Sequence, residues 1–184
     1  MLKTKKPVKN AENRTEMLKY IQLAINTEKR GIKFYTEAKK NINDYNMSRL
    51  MDVLLAQEHI HLRFFTQLYN AEKSKGMDAA AKVAARYKRQ APMRNPLFGK
   101  KQFHELTKLK STIHELFKKA IDFEEKGYDL YMDLAKKVKN EKISTFLKMV
   151  AAEELLHEEF IKMHQESVYN DGYWFGMEHV RLQS

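Results

Sequence analysis

Six residues of this chain have the types and spacing of a metal site: Glu28, Glu58, His61, Glu124, Glu154 and His157. Glu58 and His61 stand three apart, as do Glu154 and His157, so on a helix each pair shares one face on adjacent turns. Each pair can then serve one metal. Glu28 and Glu124 add one carboxylate each. Four carboxylates and two imidazoles without sulfur suit iron or manganese, and zinc can also occupy such a set. The four carboxylates offset the charge of two divalent cations, and a glutamate can bridge them. The chain has no cysteine, which excludes a thiolate zinc site and any iron–sulfur or rubredoxin-type centre of its own.

The elements that must position these residues repeat. Ala24 to Tyr35 (AINTEKRGIKFY) aligns with Ala120 to Tyr131 (AIDFEEKGYDLY) at an offset of 96 residues, and Leu54 to Phe65 (LLAQEHIHLRFF) aligns with Val150 to Ile161 (VAAEELLHEEFI) at the same offset. Two segments sharing one offset mark a duplicated unit. Apolar side chains recur at helical spacing in each unit: Met17, Ile21, Ala24 and Tyr35, then Leu50, Leu54 and Leu68, in the first. Phe117, Ala120 and Tyr131, then Ile143, Val150 and Ile161, do the same in the second. Polar breaks at Asn41 to Asn46 and at Lys139–Asn140 divide each unit into two helices. The expected fold is all-α: an antiparallel four-helix bundle of the ferritin-like kind, made of two helical hairpins joined by a long crossover. Its parts, within a single domain, are a hairpin over 12–70, a crossover over 71–110, a hairpin over 111–168 and a tail over 169–184.

Residues seven apart lie on nearly the same side of a helix. Ile21, Glu28 and Tyr35 form one such series; Leu54, His61 and Leu68 form another. Phe117, Glu124, Tyr131 and Val138 align likewise, as do Ile143, Val150, His157 and His164. All four helices thus direct carboxylate or imidazole inward. A buried unpaired carboxylate must be neutralised, and no lysine or arginine occupies these inward positions. Metal is the economical answer. The midpoints of Glu28/Glu58 and Glu124/Glu154 fall in the two expected turns, so the partners sit at one level, about 22 Å from each turn at 1.5 Å per residue. His164 lies one heptad past His157, about 10 Å along the axis, and is expected in the core or behind the ligands. His59, His104, His114 and His179 carry no role.

The remaining composition sets limits. Few glycines and prolines, 6 and 3 in 184 residues, suit long helices. No apolar run approaches the roughly 20 residues that span a bilayer, and the basic N-terminus lacks the apolar stretch of a secretory signal. A cytoplasmic location without membrane contact is expected. The formal charge is +10, of which Ala71 to Lys110 supplies +8. Such a patch can attract nucleic acid, but no nucleic-acid motif accompanies it, and the expectation is a solvated connection with a helix-prone piece from Met77 to Gln90. The aromatic tail (DGYWFGMEHVRLQS) is expected to pack on the bundle or on a neighbouring subunit.

The motifs A-I-x-x-E-x-x-G-x-x-[FL]-Y and A-x-E-x-x-H, each present twice, resemble those of the rubrerythrin branch of the ferritin-like superfamily. The resemblance covers nearly the whole chain. It implies a carboxylate-bridged di-iron centre that reacts with hydrogen peroxide or dioxygen, an external electron donor such as a rubredoxin-like protein, and a homodimer. Tyr35 and Tyr131 match family tyrosines that hydrogen-bond the ligand carboxylates, though plain aromatic packing would explain their rings equally well. Two departures stand out. Gly127 occupies the position of an extra glutamate usual in rubrerythrins, which leaves a symmetric six-ligand set closer to bacterioferritin. The rubredoxin-like domain is missing, as zero cysteines require. The leading expectation is an oxidoreductase that reduces peroxide; the alternatives are ferrous iron oxidation and storage, and a non-catalytic metal-binding regulatory protein.

Overall fold

The computed structural model describes residues 8–42, 45–88 and 110–169. They form five helices in chain order: α1 (Val8–Lys40), α2 (Tyr45–Lys75), α3 (Met77–Ala84), α4 (Lys110–Lys137) and α5 (Glu141–Tyr169). There is no strand among the described residues. α1 packs along α2 and α4 along α5, while α1 meets α4 and α2 meets α5 across the bundle. The fold is the all-α, ferritin-like arrangement of two hairpins that the periodicity predicts.

Local signals set the helix ends. Lysines close α1, α2 and α4 at Lys39/Lys40, Lys73/Lys75 and Lys136/Lys137, where positive charge complements the helix dipole. Near the end of α2, Arg14 donates to the carbonyls of Glu72 at 3.0 Å and Lys73 at 2.6 Å, the former also accepting the Gly76 N–H at 3.0 Å. Gly76, with φ 80°, turns the chain from α2 into α3. Asn140 caps α5: its Oδ1 accepts the N–H groups of Lys142 at 3.1 Å and Ile143 at 3.3 Å.

The core divides into two apolar clusters. One gathers Ile21, Ala24, Phe65, Leu68, Tyr131, Phe146 and Val150 with their neighbours. The other gathers Tyr35, Leu50, Leu54, Phe117, Ala120 and Ile161. Three of the four heptad series run from one cluster to the other, the fourth runs from Ile143 and Val150 of the first cluster to His164, and every member is buried. The acidic and imidazole positions fall between the clusters.

The connection differs from the expected solvated segment. α2 continues to Lys75, and α3 ends at Ala84 rather than near Gln90. Ala80, Ala81, Val83 and Ala84 are buried against α2 and α5, as is Tyr87 beyond them. Small alanines allow close approach, while Lys82, Arg86 and Lys88 point to solvent. The rest of the basic crossover, with Pro92, Pro96, Gly99 and His104, and the tail with His179 lie outside the described residues. No helix among the described residues is long and apolar enough to cross a membrane.

Removal of the α5 cap should be felt without touching the core. Asn140→Ala should destabilise the protein by about 1 kcal/mol, measured as a lower denaturant midpoint with unchanged slope.

Candidate metal centre

All six residues singled out by spacing meet in one layer. Glu28, Glu58, His61, Glu124, Glu154 and His157 are each at most 2% exposed. One group of possible ligand atoms comes from Glu28, Glu58, His61 and Glu154, and a second from Glu58, Glu124, Glu154 and His157; within each group the atoms lie within 4.8 Å of one another. Glu58 and Glu154 belong to both groups. Each Glu-x-x-His pair therefore does more than serve one position: its glutamate also reaches the other. Glu154 displays this directly, with Oε1 3.3 Å from His61 Nδ1 and Oε2 3.2 Å from His157 Nδ1.

The donor set fits cations. Glu28 Oε2, Glu58 Oε1 and His61 Nδ1 are buried without a hydrogen-bond partner among the described residues. Buried polar atoms are seldom left so. Both histidines turn Nδ1 toward the carboxylates, and their rings lie nearly parallel with centroids 5.8 Å apart. Imidazole nitrogens and carboxylates crowded in a dry layer are the surroundings that a pair of divalent ions would balance.

Two tyrosines fix the outer carboxylates. Tyr35 donates to Glu124 Oε1 and Tyr131 donates to Glu28 Oε1. The duplication is thus reciprocal, because each hairpin supplies the tyrosine for the other hairpin's glutamate. Burial and the adjacent carboxylates raise both phenols well above their ordinary range, so they remain donors. Glycine makes the room. A methyl group on Gly31 would lie 2.5 Å from Glu58 Oε2 and 2.9 Å from Phe123 Cε1. Its repeat partner Gly127 lies against Glu154, where the same methyl would meet Cγ at 3.4 Å.

Protons and charge are strongly perturbed here. Burial, then the neighbouring Glu28, Glu154 and Glu124 carboxylates, pushes Glu58 well above the usual carboxylate range. Burial also raises Glu124, with His157 only partly offsetting it. In Glu154, burial is outweighed by the adjacent His157 and His61 imidazoles, which hold the carboxyl low. Burial alone would lower both imidazoles. His61 is instead held well above its usual value by Glu153, Glu154 and Glu28, and His157 up to about 9 by Glu124 and Glu154.

Two participants were not legible from spacing. Glu153, buried beside Glu154, contacts His61 Nε2 through Oε2 at 2.8 Å, and Tyr87 donates to that same oxygen at 2.5 Å. Glu153 could have been found only as the residue preceding a candidate ligand, and Tyr87 gave no periodic signal at all. His164 is buried in the core, its Nδ1–H donating to the Phe160 carbonyl at 2.8 Å, and it belongs to neither ligand group. His59 and His114 are exposed.

With this geometry in place, the chain can be set beside known proteins. Residues 115–181 match the rubrerythrin family model. Over those residues the chain is similar to rubrerythrin-type, ferritin-like proteins. The match runs through α4 and α5 and includes Glu124, Glu154 and His157; the first hairpin lies outside it and is related to the matched one by the internal duplication. No curated protein and no solved structure matches.

Two predictions follow from the crowding and the protons. Gly31→Ala should improve helix propensity by about 1 kcal/mol yet lower metal uptake by displacing Glu58, whereas Gly127→Ala should bind nearly as well; metal analysis after dialysis compares them. The metal-free protein binds protons at His157 that the unfolded chain releases above its ordinary value of 6.5, and its stability falls as pH rises from there toward about 9. Raised Glu58 and Glu124 act in the same direction. Metal requires the deprotonated ligands. Loading at pH 7 should therefore release protons, and the melting temperature of the metal-free form alone should drop across that window.

Proposed function

We propose that the chain is a non-haem di-iron oxidoreductase that reduces hydrogen peroxide to water with electrons from an external donor. The observation that carries this reading is the buried layer of four glutamates and two histidines in which two glutamates face both metal positions. That ligand set is general to ferritin-like di-iron carboxylate bundles, and the rubrerythrin match supports iron over manganese or zinc. Two bound iron ions would supply the electron pair for the O–O bond and the Lewis acidity that orients the oxidant. Glu28, Glu58 and His61 would hold one ion and Glu124, Glu154 and His157 the other, with Glu58 and Glu154 shared.

The protein's own groups prepare the site. Tyr35 and Tyr131 restrict Glu124 and Glu28 to one orientation each by donating to a single oxygen. The two apolar clusters exclude water from both sides of the layer, which strengthens every charge interaction within it. The electron donor is proposed to be a rubredoxin-like protein and the assembly a homodimer. Nucleic acid has no place in the reading.

A second reading, ferrous oxidation and storage, is favoured by one feature. Gly127 stands where rubrerythrins carry an extra glutamate, and without that carboxylate the set is a symmetric six. A storage role requires a large hollow assembly, which a sedimentation measurement separates from a dimer. Anaerobic loading with Fe(II), followed by mixing with peroxide or with dioxygen, tests the chemistry. Two iron per chain, oxidised faster by peroxide, is the expected result. Faster reaction with dioxygen and continued iron uptake would favour storage, and stable metal without oxidation would favour a regulatory role.

A further inference from the structure

The duplication makes His61 and His157 equivalent in sequence, but their outer ring nitrogens differ in surroundings. His61 Nε2 meets Glu153 Oε2 at 2.8 Å, on the side of the ring away from the other carboxylates. The same oxygen accepts the Tyr87 hydroxyl at 2.5 Å. Glu153 and Tyr87 are 2% and 4% exposed, so this contact is dry. The Tyr87 ring is wedged edge-on against Phe64 and Phe146, with centroids 4.8 and 4.9 Å away, so its hydroxyl has little freedom to leave.

The repeat offset of 96 residues puts Gln57 at the position corresponding to Glu153. Gln57 is uncharged, and its buried Oε1 has no hydrogen-bond partner among the described residues. Tyr87 lies outside both aligned segments, in the connection between hairpins. His61 is therefore backed by a carboxylate and a tyrosine, while the residue that corresponds to Glu153 in the other repeat is an amide that accepts no hydrogen bond from His157.

We infer that the Tyr87–Glu153 arm makes the two metal positions unequal, with the His61 position binding more tightly and filling first. This rests on the two-metal reading of the layer. A carboxylate accepting Nε2–H fixes the tautomer, leaves the Nδ1 lone pair for the cation and increases the basicity of the imidazole. An amide can do the first two at best. Loss of such a contact lowers metal affinity about 10- to 100-fold. Glu153 and Tyr87 touch no oxidant and are positioning residues: Glu153 acts through His61, and Tyr87 acts through Glu153.

Stepwise titration of the metal-free full-length chain with Co(II), followed by visible absorption, tests this without turnover. The wild type should take up two ions in two resolved steps. Glu153→Gln should weaken the tight step by about 10- to 100-fold and leave the loose step in place. Tyr87→Phe should weaken the tight step less, and Gln57→Glu should tighten the loose one. Circular dichroism of each metal-free variant checks the fold, and Gln57→Glu remains informative even if Glu153→Gln misfolds. Unchanged separation of the steps in both Glu153→Gln and Gln57→Glu, or an equal shift of both steps, overturns the inference. Failure of the wild type to take up Co(II) overturns the two-metal reading itself, and the inference with it.

Discussion

Four carboxylates held in a dry layer between two apolar clusters are the constraint around which the rest of this molecule is arranged. Carboxylates removed from water without compensation are among the most costly groups a core can contain. Here the protein supplies only part of the compensation. Tyr35 and Tyr131 satisfy one oxygen of Glu124 and of Glu28, and the histidines approach Glu154 from both sides. Oxygens of Glu28 and Glu58 remain unmatched among the described residues. The perturbed proton affinities express that deficit: in the absence of cations, Glu58 and Glu124 retain protons and both histidines favour the charged form.

The same layer joins the halves. Contacts run mainly within each hairpin, along α1–α2 and α4–α5, and are sparser between hairpins. The reciprocal tyrosine–glutamate bonds cross that sparse interface, as do the contacts of His61 with Glu153 and Glu154. Ligand placement and hairpin docking are consequently one problem. Gly31 belongs to its solution, since a side chain there would collide with Glu58 and Phe123. Helix propensity is sacrificed at that position for the approach.

Symmetry and its breach carry different information. The duplicated residues define a layer in which the two halves are interchangeable: Glu28 with Glu124, Glu58 with Glu154, His61 with His157. The surroundings are not interchangeable. α3 packs on α2 and α5, and the turn after it delivers Tyr87 to Glu153. α3 and Tyr87, packed on one flank, give a symmetric ligand set an unsymmetric environment.

The sequence by itself determined the helices, their pairing and the six inward groups, because helical period and repeat offset are one-dimensional regularities. Ile21, Glu28 and Tyr35 share a stripe wherever the helix docks, and two Glu-x-x-His pairs at one offset require matching heights. The tertiary structure alone decided that Glu58 and Glu154 are shared, that each tyrosine serves the opposite hairpin, and that α3 is packed instead of solvated. It also chose Glu153 and Tyr87. Those outcomes depend on which faces meet when the hairpins dock, a matter of distances of a few ångströms between residues 66 to 103 apart in the chain. No period along a single helix encodes such a distance.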